Sequence, residues 1–382
     1  MKELAEFDEI RPYCAEELPA AYERLIVNPQ FCKMVGYIFP DKPFDAMMTR
    51  MRQCKTNLEF QKTFCYPFLK NLLAKASKGA EMDVSDIDTK SRYTFVSNHR
   101  DIVLDSGFLS ILLLDSGFTT TCEIAIGDNL VSLPWIKDLV RINKSFIVER
   151  GVSMRQMLVA SKRLSDYMHF AINEKNENVW IAQREGRAKD SDDRTQGAIL
   201  KMMAMGGEGG IIERIAQLHI VPLSISYEFD PCDYLKAREF QQKRDILDFK
   251  KGKDDDIISM QTGVMGYKGH VHYHCAPCID GFLHKLDPNM PKTEVFDLIA
   301  RHIDHEIHRN YRIYPCNYVA LDMLKNSTQY ASKYTDDDKA QFGKYIEGQL
   351  AKIDLSNKDD AFLKERMLTM YANPVINYLA TV

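Results

Sequence analysis

The chain has 382 residues, 45% of them apolar, and its 50 basic and 54 acidic side chains give a net charge of −4. That length can bury a large core and leaves room for a catalytic domain of ordinary size plus roughly one further unit. The slightly acidic balance, with no stretch in which basic and aromatic residues interleave, excludes a nucleic-acid groove and general polyanion binding.

From the N-terminus, Met1 to Glu9 is acidic and has no apolar core, so no signal peptide is expected. Residues 1–85 read as a helical N-terminal region: Phe44, Met47, Met48 and Met51 share one helical face, and so do Phe60, Phe64 and Phe68, with Gly79 as a C-cap. Glu81 to Asp88 reads as an acidic connector. Residues 90–285 alternate short apolar runs with helix-like segments, which predicts an α/β domain with a mixed, mostly parallel sheet flanked by helices. Lys250 to Asp256 reads as an exposed loop before the last strand, and residues 287–382 return to helix, with an amphipathic charged run from Asp336 to Met370.

The longest strongly apolar stretch, Phe108 to Leu114, is far below the ~20 residues that a spanning helix needs. Nine scattered cysteines in mostly apolar contexts fit reduced thiols. The expected location is therefore cytoplasmic, with any membrane contact peripheral, on the inner face of the cytoplasmic membrane.

The candidate chemistry sits where predicted strands end. Arg92 to Ser97 is a short strand that delivers Asn98 and His99 to a turn, and the following helix carries Asp105. A histidine titrates nearest neutrality, and a carboxylate beside it fixes its tautomer and stabilises the imidazolium, so such a pair is a general base. No Gly-x-Ser-x-Gly elbow supplies a nucleophile, and the hydroxyl to be activated is expected to arrive with the substrate. Ser145 to Arg150 is a second strand, closed by Gly151; Val179 to Gln183 runs into Arg184-Glu-Gly-Arg-Ala-Lys189; and His219 to Tyr227 is a further buried strand. In an open α/β sheet such strand ends converge. Pro134 to Asp190 holds 11 Lys and Arg against 7 Asp and Glu, a local excess of positive charge that attracts a phosphate-bearing ligand.

In order and type these blocks resemble the superfamily of glycerol-3-phosphate and 1-acylglycerol-3-phosphate acyltransferases, over about half of the chain. The matching stretches are Asn98 to Asp105, Ser145 to Arg150, Arg184 to Arg187 and Ile220 to Tyr227. Ala125 to Leu130 is similar to the glycerol-3-phosphate branch, and Asn98 before the histidine to the 1-acylglycerol-3-phosphate branch. The sequence departs from the family in placing five residues, not four, between His99 and Asp105, and Asp101 is the alternative partner of the histidine. The third block is compressed, with Arg187 directly after Gly186.

The resemblance implies an O-acyltransferase of phospholipid biosynthesis. It would move a fatty acyl group from acyl-CoA or acyl carrier protein to a hydroxyl of glycerol-3-phosphate or 1-acylglycerol-3-phosphate. His99 and Asp105 would be catalytic; Arg150, Arg187 and Lys189 would bind the acceptor phosphate; Asn98, Glu185 and Gly186 would support them, Glu185 by orienting an arginine. The tetrahedral oxyanion would be met by backbone N–H groups near the start of the helix after His99. No cofactor and no metal are expected. The alternatives are an acyltransferase for another hydroxylated lipid acceptor, or a catalytically silent lipid-binding homologue.

Other motifs have plainer readings. His99-Arg100-Asp101 copies a kinase catalytic loop in three letters, without the Asn, the Gly-rich loop or the Asp-Phe-Gly that would go with it. His270-Val-His-Tyr-His-Cys275 with Cys278 has metal-like spacing but lies where the family places its closing strand. Gly206 to Gly210 lacks the Lys-Ser/Thr of a phosphate loop and reads as a helix stop.

Overall fold

The computed structural model describes residues 4–150, 154–252 and 254–382. Gly151, read above as closing a strand, and Lys253 of the charged loop lie outside the described residues.

An N-terminal layer comprises α1 (Leu18–Ile26), α2 (Pro29–Ile38), α3 (Phe44–Gln53), α4 (Asn57–Phe60) and α5 (Tyr66–Ala76), with a π-turn at Gln61–Cys65 between the last two. Proline at the start of α1 and α2 occupies positions where the N–H would have no partner, and Asn28 caps α2 by accepting from Gln30 and Phe31 N–H. The sheet then begins with β1 (Ala80–Asp83) and β2 (Thr94–Ser97). After α6 (Leu104–Asp115) come β3 (Cys122–Gly127), α7 (Pro134–Ile142), β4 (Ser145–Val148), α8 (Met154–Asn173) and β5 (Asn178–Ala182). Next are α9 (Gly197–Met203), α10 (Ile211–Ala216), β6 (Ile220–Tyr227), α11 (Asp233–Asp245), α12 (Asp255–Met265), β7 (Val271–Cys275) and α13 (Asp280–Leu283). The C-terminal part is α14 (Lys292–Arg309), α15 (Pro315–Leu324), α16 (Asp336–Ala351) and α17 (Asp360–Leu379).

The seven strands lie in the order β1-β7-β6-β2-β5-β3-β4, and every pairing is parallel except β6 with β7. The α/β reading with a mixed, mostly parallel sheet and helical termini therefore holds. Alternate residues of a strand face opposite ways, and the two faces of the sheet bury separate cores. Val96, Ile181, Ile220 and Phe146 pack with α8 and α14, while Phe95, Trp180, Val221 and Leu223 pack with α5 and α6. The helix α6 is buried on nearly every side, which is why its sequence is almost wholly apolar.

Three local expectations change. The acidic connector is in part β1, an edge strand paired in parallel with β7. Its alternation is only four residues long and only partly buried, so the sequence carries little pattern to read. Gly79 does not cap α5, whose C-cap is Ser77; with φ at +116° it turns the chain into β1. The charged loop at 250–256 ends at Asp255, where α12 begins between it and β7.

Candidate active site

Parallel strands point their C-terminal ends the same way, so β2, β3, β4 and β5 deliver the turns that follow them to one edge of the sheet. Beyond β2, His99 Nδ1 lies 2.8 Å from Asp105 Oδ2, the histidine side chain 13% exposed and the carboxylate fully buried. That bond assigns Asp105 to Nδ1 and leaves Nε2 for the cavity that His99 lines. The edge of Trp180 packs against the imidazole, its centroid 5.7 Å away. Asp105 is held from all sides: Oδ2 also accepts the N–H of Arg100 at 2.6 Å and of Asp101 at 3.0 Å, and Oδ1 accepts the Tyr227 hydroxyl at 3.1 Å.

Asp101 faces elsewhere. Its Oδ1 accepts the N–H groups of Val103 and Leu104, at 2.9 and 2.8 Å, and so caps α6. Burial, and then the charge of Asp105, push its carboxyl up. Helix α12 presses on it so closely that a Cβ on Gly263 would lie within 1.9 Å of Asp101 Oδ2. An acid placed just before an apolar helix is the sequence signal of a cap, and it is present in Asp101-Ile-Val-Leu104. The extra residue between His99 and Asp105 is accommodated in this turn.

The turn's backbone donors are mostly engaged. Arg100 and Asp101 N–H go to Asp105, and Val103 and Leu104 N–H to Asp101. The N–H of Ile102, a residue that lines the cavity, has no hydrogen-bond partner among the described residues.

Asn98 is fully buried and turned away from the cavity; its amide makes two bonds to the backbone of Ile225, at 2.9 and 2.8 Å, and joins the β2 turn to β6. Arg150, at the end of β4, pairs with Glu185 at 3.4 Å, while its backbone N–H bonds to Asp128. Its guanidinium lies over Gly127 at the end of β3, where a Cβ would come within 3.0 Å of Nε and 2.5 Å of Asn129 Oδ1. Gly186 holds φ at +65°, a left-handed turn that brings Arg187 inward after the exposed Glu185. Arg187 lines the cavity, and its Nη1 is buried with no hydrogen-bond partner among the described residues. Lys189 is ion-paired with Glu239 of α11; burial, then Lys251, Lys243 and Arg187, push its ammonium down to about 7.

His99, Arg150, Arg187 and Lys189 share one cavity of about 1280 Å³, larger than the roughly 300–1,000 Å³ of an ordinary small-molecule site. Its far wall is apolar and comes from the N-terminal layer, including Phe31 and Val35 of α2, Met47 and Met51 of α3 and Leu69 of α5. Of these, only Met47 and Met51 stood out in the sequence, as part of a helix face.

On β7, His272 and His274 share one face and Cys275 turns to the other, so that the histidines and this cysteine do not converge. His219, Cys278 and Asp280 do bring ligand atoms within 4.8 Å of one another, at the opposite edge of the sheet from His99. There His219 Nδ1 is 2.7 Å from Asp280 Oδ2, and that bond raises the pKa of the imidazole. Among the described residues no helix is long and apolar enough to cross a membrane.

Residues 81–226 match the protein-family model described as Acyltransferase. No curated protein is significantly similar to the chain.

Proposed function

We propose, from the match of residues 81–226 to the Acyltransferase family, that of glycerol-3-phosphate and 1-acylglycerol-3-phosphate acyltransferases, that the protein esterifies a hydroxyl of one of these two phosphate-bearing acceptors with a fatty acyl group from a thioester, on coenzyme A or acyl carrier protein. It is an acyltransferase that acts on a lipid acceptor. The observation that carries the finer reading is the cavity itself, in which a histidine–carboxylate pair lies between arginines and a long apolar wall.

An alcohol with a pKa far above neutral becomes a nucleophile when His99 Nε2 accepts its proton. Asp105 stabilises the imidazolium that results, a contribution of ~10²–10⁴-fold. The acceptor oxygen forms a bond to the thioester carbonyl carbon, and the electron pair displaced onto the carbonyl oxygen is met by the Ile102 N–H. Collapse breaks the carbon–sulfur bond, and the departing thiolate takes the proton back from His99. No acyl-enzyme forms. Arg150 and Arg187 supply planar donor pairs suited to a phosphate, with Glu185 orienting Arg150. The apolar wall takes the acyl chain. Contact with a bilayer comes from the side, through exposed surface, and phospholipid synthesis in the cytoplasm is the setting this reading implies.

The test is an acyl-transfer assay with purified protein, several thioester donors and a panel of acceptors with and without phosphate. Wild type is expected to ester-link the phosphate-bearing acceptors preferentially, and His99→Ala to lose at least about two orders of magnitude while staying folded. Equal use of acceptors without phosphate would favour another lipid acceptor; no transfer from any donor would leave a lipid-binding homologue.

A further inference from the structure

Helix α11 and the segment after it bring further cations to the cavity, where they meet Lys189 of the segment after β5. In the sheet order β6-β2-β5-β3-β4, Arg150 follows β4 at one edge, whereas α11 follows β6, beyond β2 and its histidine. The centre of the group is Glu239, whose side chain is 11% exposed. Its carboxylate is shared by Lys189, by Lys243 one helical turn on at 2.9 Å, and by Lys251 at 3.6 Å. Among the described residues only Lys251 has a further carboxylate, Asp256 at 3.1 Å. All three lysines line the cavity, and so does Arg187 with its unpartnered Nη1.

Three ammonium groups share one largely buried carboxylate, and with Asp256 beside Lys251 the group still carries a net positive charge. Burial, and then Lys251 and Lys243, push the Lys189 ammonium down to about 7. A dense anion entering here would be attracted by the cations and would relieve their mutual repulsion. A solvated face accounts for the group only in part: Lys243 and Lys251 are exposed, but they converge on Glu239 and Lys189, which are mostly buried.

We propose that Lys189, Lys243 and Lys251 form a second phosphate subsite, which holds the phosphate groups of a coenzyme A thioester while Arg150 and Arg187 hold the acceptor. This rests on the acyl-transfer reading and assigns its donor. Separate subsites let the two phosphate-bearing molecules bind together, whereas one shared subsite would make them compete.

The experiment compares wild type with Lys243→Ala/Lys251→Ala and with Lys243→Arg/Lys251→Arg. Binding of unacylated coenzyme A and of pantetheine, which lacks the phosphates, is measured by calorimetry without turnover. KM is measured for acyl-CoA, for the acyl-pantetheine thioester and for the acceptor. The alanine pair is expected to weaken coenzyme A binding and raise the acyl-CoA KM about tenfold or more, with pantetheine, its thioester and the acceptor within about twofold. The arginine pair should retain most of the affinity, because charge is kept. Unchanged coenzyme A affinity in the alanine pair overturns the proposal, and so does a rise confined to the acceptor KM, which would give the lysines to the acceptor phosphate. Equal losses for coenzyme A and pantetheine would mark the lysines as structural. If the alanine pair does not fold, wild-type affinity for coenzyme A must still fall more steeply with salt than that for pantetheine. Wild type that binds coenzyme A through these lysines but transfers no acyl group would overturn the acyl-transfer reading and leave the subsite standing.

Discussion

Replacing Asp105 and Asp101 by asparagine in separate variants tests the catalytic turn, because the two carboxylates lie four residues apart and have different partners. In Asp105→Asn the amide oxygen can keep the Oδ2 position, where it would still accept His99 Nδ1–H at 2.8 Å and the N–H groups of Arg100 and Asp101. What is lost is the negative charge beside the imidazolium. At that distance and an effective dielectric of about 20, a full charge pair is worth roughly 6 kcal/mol gross. The same oxygen is shared with two backbone donors, so about 3 to 5 kcal/mol of transition-state stabilisation should go, or roughly 10²–10⁴-fold in kcat. In Asp101→Asn the side-chain oxygen still caps α6 through Val103 and Leu104 N–H, and a carboxyl whose ionisation is disfavoured becomes neutral. Its kcat should stay within about threefold of wild type and its stability within ~1 kcal/mol. Steady-state rates at saturating acceptor and donor, with urea unfolding of each variant, decide the matter. A folded Asp101→Asn variant that loses more activity than Asp105→Asn would refute the assignment of the carboxylate and the role of the turn.

Arg150→Ala should raise the acceptor KM strongly with little loss of stability, since its ion pair with Glu185 is exposed, and Arg150→Lys should also be impaired; a donor KM that rises equally would contradict the acceptor role. Gly127→Ala, which places a methyl group 3.0 Å from Arg150 Nε and closer still to Asn129, should reproduce the Arg150→Ala rise in acceptor KM without removing any charge, as steady-state kinetics would show. Val35→Trp, which fills part of the apolar wall, should depress kcat/KM for long-chain thioesters while short-chain ones are used nearly as before; uniform loss across chain lengths in a donor series would place the acyl chain elsewhere. At the start of α11, burial and then Asp230 push Asp233 up to about 7. The folded state therefore binds this proton more tightly than the unfolded chain, and its stability contribution is full below about pH 4 and lost as pH rises to about 7. Asp233→Asn should flatten that decline in urea titrations run from pH 5 to 8.

The residues that could be read from sequence are those whose partners are close along the chain or fixed by a strand end. The His99–Asp105 turn needs only β2 and the start of α6, and the compressed Arg184 to Lys189 block needs only β5. Residues that depend on two distant segments meeting gave no such signal. Asn98 read as a support for catalysis, yet its amide serves the backbone of Ile225, 127 positions away. Lys189 read as a phosphate ligand beside Arg187, and its main partner proved to be Glu239, on a helix whose position nothing local predicts. The edge strand β1 is too short and too exposed to show its period, and Met47 and Met51 have the same amphipathic spacing whether the face covers a core or a cavity.

The proton-transfer turn and the apolar wall are encoded in stretches of chain that do not overlap. Substitutions in α2 and α3 can reshape the wall without touching β2, α6 or any hydrogen bond of Asp105. If the wall holds the acyl chain as proposed, preference for one acyl length over another is free to drift between relatives while the reaction stays the same. Exchange of residues 18–76 between homologues is a route to transplanting that preference.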